Sequence, residues 1–357
     1  MSSESVQAET IAVRSDEGFD EERVAAYLRE NLEGADGPMH VRQFGGGHAN
    51  LTYLLQFGEG EGAREFVLRR PPLGPVAKGA HDMGREYQAL SRLWQAFPPA
   101  PRAFLLCEDP DVIGADFLVM ERRHGVVIRS VVPPEFGSGR DPVANRKISE
   151  VVIDTLADFH AVDAEAVGLT SLGRPEGFLE RQVRGWGERY ERARTNDHAG
   201  PRELVQWLEA NLPESLPATL LHNDWKLDNM AVAADDPGRC VAVYDWDMCT
   251  VGDPLCDLGT VLCSWRDRGD TAQGVPGAMP FGDGFLLADE GASRYCERLG
   301  VDPQRVPFYR VFGVFKMGVV IQQIYVRYHR GQTQDERFKS MEPLAVALFE
   351  RALGLRP

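Results

Sequence analysis

The chain has 357 residues, 43% of them hydrophobic and 26% charged. That is the balance of a soluble globular protein with room for two domains or one two-lobed fold. Its 39 Lys and Arg against 54 Asp and Glu leave a net charge of −15, which argues against nucleic acid or an anionic membrane as the main partner. No apolar run is long enough to span a membrane, and the acidic N-terminus lacks the basic and apolar regions of a secretory signal, so the expected location is the cytoplasm.

Residues 1–18 are polar and without period, and are expected to be disordered. Phe19 to Leu32 has the apolar spacing of a helix. Met39 to Phe44, Asn50 to Gln56 and Glu65 to Arg70 read as three strands, with Gly45-Gly46-Gly47 joining the first two. A helix from Asp82 to Ala96 follows, then a short strand at Phe117 to Met120. From Pro142 onward helical periods dominate, at Ile148–Ala161, Gly177–Arg194, Glu203–Asn211, Arg310–Gly331 and Met341–Leu355. A short strand at Val241–Tyr244 and a Gly/Pro-rich loop at Gly269–Gly284 interrupt them. The pattern predicts an α+β fold with two lobes: a small β-rich N-lobe at 19–121 and a larger, mostly helical C-lobe at 122–357. The six cysteines form no C-x-x-C pair and are expected to be free thiols.

Two short stretches carry chemistry. LHNDWKLDNM places His222, Asp224 and Asn229 in the spacing H-x-D-x-x-x-x-N, and VAVYDWD places Asp245 and Asp247 just after a β-branched run. The spacing resembles the catalytic loop and metal-binding Asp of protein kinases. In that chemistry one carboxylate orients or deprotonates the attacking hydroxyl, the part for Asp224. An amide oxygen and a second carboxylate hold Mg²⁺, the parts for Asn229 and Asp245. Asp247 is a possible auxiliary to the metal, and His222 a brace for the loop through a backbone carbonyl or a carboxylate. Asp253 and Asp257 read as a helix cap and a loop anchor. Singly, each of these is an ordinary turn or cap residue; their order and spacing together point to phosphoryl transfer.

The glycine-rich turn supports the same chemistry, since backbone N–H groups at Gly46, Gly47, His48 and Asn50 can approach phosphates closely. Arg69 on the next strand and Glu86 on the next helix match the cation–glutamate pair that positions nucleotide phosphates in kinases, with Arg in the cation's place able to contact phosphate bidentately. Arg70, Lys78 and Arg85 lie close in sequence to the same region. Met120 and Glu121 end a strand whose backbone would meet an adenine ring.

With GGGHANLTYLL, FVLRRPPLGP, LADFHAVD, LHNDWKLDNM, VYDWDMCTVGDPLCDLG and IYVRYHRGQT in view, the chain resembles the aminoglycoside phosphotransferase and choline kinase family, of protein-kinase-like fold. It is most similar to the branch fused to acyl-CoA dehydrogenases in animals. The resemblance implies ATP or GTP as co-substrate, Mg²⁺ as cofactor, a small hydroxyl-bearing acceptor, Asp224 as base, Asn229 and Asp245 as metal ligands, and Arg69 with Glu86 as the phosphate-positioning pair. The branch suggests a hydroxylated acyl thioester or another small metabolite over an antibiotic. Gly177–Asn211, Gly269–Gly284 and Arg310–Gly331 are expected to shape the acceptor pocket, with Trp186, Tyr190, Tyr325 and Arg327 as candidates. Where the family often has Ser in the glycine-rich turn this chain has Ala49. The alternative is a kinase-like protein that binds nucleotide or ligand without turnover.

Overall fold

The computed structural model describes residues 9–45, 50–74, 81–268, 278–280 and 282–357. They form two compact units, one of Met1–Gly125 with Val241–Cys249, the other of Val126–Cys240 with Thr250–Pro357.

The first unit is built on a six-stranded antiparallel sheet. Its strands are β1 (Thr10–Ile11), β2 (Met39–Phe44), β3 (Leu51–Phe57), β4 (Arg64–Arg70), β5 (Ala103–Cys107) and β6 (Phe117–Glu121), in the order β1-β2-β3-β4-β6-β5. β4 is an inner strand, with Arg69 opposite Thr52 on β3 and Leu118 on β6. Alternation sends Tyr53, Leu55, Phe66, Leu68, Phe117 and Val119 into one core. Helix α1 (Glu21–Asn31) adds Val24 and Leu28 to it, and its first turn is capped by Asp20, which accepts from Arg23 N. Helix α2 (Met83–Leu93), capped by Asp82, buries Met83, Glu86, Ala89, Leu90 and Leu93. A glutamate thus sits within an otherwise apolar stripe.

Two expectations change in this unit. Residues 10–11 are ordered as an edge strand, Thr10 opposite Phe44, because Arg42 donates to the Thr10 hydroxyl and carbonyl and Arg14 N donates to Gln43; residues 1–8 lie outside the described residues. The Asp245 segment, which sequence order puts in 122–357, belongs to the first unit instead. Val243 N donates to Pro99 O at 2.8 Å and the buried Trp246 packs edge-on against Phe97.

The second unit opens on β7 (Val126–Val127). After a single-turn α3 (Pro110–Ile113) in the first unit, the helices here are α4 (Pro142–His160), α5 (Phe178–Ala193), α6 (Gly200–Ala210), α7 (Leu255–Cys263), α8 (Ala288–Leu299), α9 (Val306–His329) and α10 (Met341–Gly354). α9 is the central element, packed against α5, α7 and α10. Its crossing with α7 is so close that a Cβ on Gly259 or Gly313 would strike the facing backbone. The short strands β8 (Thr219–Leu221), β9 (Met230–Ala233) and β11 (Thr250–Gly252) complete the set with the first part of β10 (Asp236–Val243), whose last residues belong to the first unit, β8 pairing with β11 and β7 with β9. β5 and the helices α7 and α8 are absent from the sequence expectations, α7 because GDPLCDLG reads as a cap and a loop. Of the expected 269–284 loop, residues 269–277 and 281 lie outside the described residues.

Candidate active site

In the second unit, residues 222–229 are stretched between β8 and β9 and end in a tight turn at Leu227–Asn229. Four side chains fix this loop. Asp257, in the first turn of α7, accepts from His222 N at 2.6 Å and Asn223 N at 2.9 Å. Trp225 donates its ring N–H to Val152 O at 3.0 Å and stacks on Phe159. His222 lies edge-on to Trp225 and accepts from Asp224 N at 3.3 Å. Lys316 donates to Asn223 O at 3.3 Å. Asn223 takes a left-handed conformation, φ 67°, which an Asn tolerates better than most residues.

The result is a presented carboxylate. The Asn229 amide donates to Asp224 O at 2.9 Å and to Asp224 Oδ2 at 2.8 Å, and Lys226 Nζ reaches the same oxygen at 2.7 Å. With its NH₂ group turned to Asp224, Asn229 has its amide oxygen left for another partner. His222 accepts the backbone N–H of Asp224 within this loop. Lys226 was missed in the sequence; its place two residues after Asp224 was the available signal.

Asp257 is fully buried, yet its pKa lies below the ordinary carboxylate value. Burial acts to raise it, and the hydrogen bond and charge of His160, with the backbone N–H of His222, outweigh that. His160 reaches Asp257 at 3.4 Å and shares a 2.6 Å hydrogen bond with the Tyr295 hydroxyl. Asp253 accepts from Leu255 N, Leu216 N and the Tyr309 hydroxyl. Both acids therefore serve the scaffold, as the sequence suggested.

In the first unit a second set is assembled. Arg69 Nε meets Glu86 Oε2 at 2.8 Å, and its Nη2 forms an ion pair with Asp245. Trp246 N donates to Glu86 Oε1 at 3.3 Å, and Asn50 Nδ2 donates to Asp247 Oδ2 at 3.3 Å. Asp245 adopts φ 70°, a left-handed conformation that costs a non-glycine residue energy and is common at functional sites. Three carboxylates thus act on one guanidinium, and His81 Nδ1 stands 3.9 Å from Asp247 Oδ2. Burial would strip the Arg69 charge, but Glu86, Asp245 and Asp247 outweigh it and hold its pKa above the ordinary value. Burial pushes the Glu86 carboxyl up to about 7. Burial, then the Asp245 charge, raises Asp247.

The structure therefore brings Arg69, Glu86, Asp245, Asp247 and Asn50 together in one unit, and His222, Asp224 and Asn229 together in the other. Gly46, Gly47 and His48 lie outside the described residues. Met120 is buried in β6 opposite Val67 and Ala103, and Glu121 accepts from Arg102 N and pairs with Arg123. Tyr190 is a core residue against Phe349. Among the described residues no cluster of three or more His, Cys, Asp or Glu is arranged to hold a metal ion, and no helix is long and apolar enough to cross a membrane.

The sequence profile described as "Phosphotransferase enzyme family" matches residues 40–292. Acyl-CoA dehydrogenase family member 11 of Gallus gallus is 32% identical over 98% of this chain and 45% of its own length. The chain thus spans less than half the length of that relative. A Ralstonia eutropha protein described as a candidate aminoglycoside phosphotransferase superposes with a TM-score of 0.78 at 27% identity, covering 95% of this chain and 98% of that one. A ternary complex of aminoglycoside phosphotransferase APH(4)-Ia with AMP-PNP and hygromycin B shares the fold at a TM-score of 0.56 and 16% identity, over 93% of this chain and 98% of that one. The chain belongs to the phosphotransferase enzyme family, and its α+β architecture is that family's protein-kinase-like fold.

Proposed function

We propose that the chain transfers the γ-phosphoryl group of ATP or GTP to the hydroxyl of a small-molecule acceptor. The observation that carries this reading is the loop around Asp224, whose carboxylate is aimed and charge-balanced by Asn229 and Lys226. In the reaction the acceptor oxygen forms a bond to the γ-phosphorus as the bond to the nucleoside diphosphate breaks. The hydroxyl proton passes to Asp224. Lys226 and Arg69 offer positive charge to phosphoryl oxygens, with Glu86 fixing Arg69. Met120 and Glu121 keep their proposed place against the nucleotide base, as do Asn50 and the glycine-rich turn against its phosphates.

The residues fit Mg²⁺ by the chemistry of the donor set. Asn229 and Asp245 offer hard oxygen ligands, Asp247 is a possible auxiliary, and acids outnumber the one arginine beside Asp245, which suits a divalent cation. Mg²⁺ commonly takes one or two carboxylates and completes its shell with phosphate oxygens and water, and when bound it would neutralise charge on the transferring phosphate. One observation favours a second reading, a nucleotide- or ligand-binding protein without turnover: the ion pair of Arg69 with Asp245 competes with a metal for that carboxylate.

Nucleoside diphosphate release, screened over hydroxyl metabolites, thioesters and aminoglycosides, separates the two. The phosphotransferase reading expects Mg²⁺-dependent transfer that Asp224→Asn abolishes while nucleotide still binds. Tight nucleotide binding with no transfer to any class would replace it with the second reading.

A further inference from the structure

Among the described residues Lys316 is a buried cation that forms no salt bridge. It lies midway along α9 and is 9% exposed, with Phe312, Phe315 and Val319 buried within a turn of it. Its ammonium donates to the backbone carbonyl of Asn223 at 3.3 Å and stands 5.6 Å from the centroid of the Trp186 ring on α5. An ammonium withdrawn from water without a carboxylate costs stability, and an apolar side chain of the same length would suit such a place better. A conflict of this kind between a residue and its surroundings is expected where function requires it.

What Lys316 holds is the residue before Asp224. The Asn223 backbone is gripped from two helices. Its N–H donates to Asp257 Oδ1 of α7 at 2.9 Å, and its carbonyl accepts from Lys316 of α9. These groups belong to the two peptide units on either side of the Asn223 Cα, so fixing both fixes φ and ψ together. The grip matters because φ is 67°, a left-handed state that a non-glycine residue leaves readily for more stable ones. The Asn223 carbonyl shares its plane with Asp224 N. Turning that plane would swing the Asp224 carboxylate away from Asn229 and Lys226. The spacing of the two anchors is itself set by packing. Asp257 and Lys316 each lie within one turn of Gly259 and Gly313, where α7 and α9 approach too closely to admit a Cβ.

We propose that Lys316 is a positioning residue for phosphoryl transfer. With Asp257 it clamps the peptide units around Asn223 and so holds the Asp224 carboxylate in the orientation from which it takes the hydroxyl proton. This rests on the phosphotransferase reading. Lys316 acts through the backbone and touches neither acceptor nor nucleotide. The buried charge is thus kept for what it does to the loop, at some cost to the stability of the unit that carries it.

The test replaces Lys316 in the full chain with Met, which keeps the length and removes the charge and its donors, and with Arg, which keeps charge and donors. With a hydroxyl compound that the wild type phosphorylates, Lys316→Met should lower kcat about 10- to 100-fold, the scale of a small misplacement of a reacting group. The KM values of nucleotide and acceptor should stay unchanged. The thermal midpoint of Lys316→Met should hold or rise, since the uncompensated charge is gone, and Lys316→Arg should recover most of the kcat. Amide hydrogen exchange at Asn223 and Asp224 should quicken in Lys316→Met and stay near the wild-type rate in Lys316→Arg. A raised acceptor KM with kcat held would overturn the proposal by making Lys316 a contact of the acceptor. A lowered midpoint or failure to fold in Lys316→Met would overturn it by making Lys316 part of the scaffold alone. Transfer by Lys316→Met at the wild-type rate would remove the proposal and leave the phosphotransferase reading standing. If the wild type transfers phosphate to no compound, that reading fails instead, and the exchange rates judge the clamp by themselves: unchanged rates in Lys316→Met overturn it.

Discussion

Around Asp257 a fully buried negative charge is met by two backbone N–H groups and a histidine, and its pKa falls below the ordinary value. Around Asp245 three carboxylates crowd one arginine, and the carboxyls of Glu86 and Asp247 are raised. The first arrangement is complete within the polypeptide. In the second, three acids act on one arginine, with His81 3.9 Å from Asp247, and on the phosphotransferase reading a cation would join them. Buried charge is thus met in two different ways in the same chain.

The largest expected effect tests what the satisfied loop is for. Asp224→Asn should lower phosphoryl transfer by about 10²- to 10⁴-fold with nucleotide affinity held, measured by diphosphate release and calorimetry. Unchanged turnover would break the assignment. Next comes the anchor itself. Asp257→Asn removes the charge that two N–H groups and His160 converge on, and should cost about 2–3 kcal/mol of stability by urea denaturation. The pH dependence has a definite sign. Because the folded pKa of Asp257 is depressed, its contribution is fully present above the unfolded carboxylate value, about 3.9, and is lost as pH falls through the lower folded value. Acid titration of the Asn variant should therefore lack that part of the wild-type loss.

Much of this was legible in the sequence because it is local. His222, Asp224 and Asn229 lie within eight positions, and the strands at Met39–Phe44 and Glu65–Arg70 carry enough β-branched and aromatic residues to be placed within a residue. The Arg69–Glu86 pair was also legible, since a strand cation followed by a helix glutamate matches the kinase arrangement, and the two meet at 2.8 Å. What escaped depends on distant partners. β1 has only two residues and is defined by Arg42 and Gln43. α7 hides behind turn-forming residues. The Asp245 segment joins the first unit through Trp246 and Pro99, which no local pattern announces.

The smallest effect is the most pointed, because its sign should reverse between the two regions. Asp247→Asn keeps an oxygen for Asn50 to donate to while removing one of the negative charges beside Asp245. Without nucleotide or metal it should leave stability unchanged or raise it by up to about 1 kcal/mol, where the same substitution at Asp257 destabilises. Both changes are isosteric and both acids are largely withdrawn from solvent, so packing loss cannot account for opposite signs. What differs is the surroundings: Asp257 accepts from two backbone N–H groups beside His160, whereas Asp247 has Asn50, with a His81 ring 3.9 Å away, and lies in the field of two other acids. Added Mg²⁺-nucleotide should then stabilise the wild type more than the Asp247→Asn protein, read as the shift in thermal midpoint. Equal shifts, or a destabilisation of Asp247→Asn as large as that of Asp257→Asn, would mean that the acid cluster is balanced internally and is not held in wait for a cation.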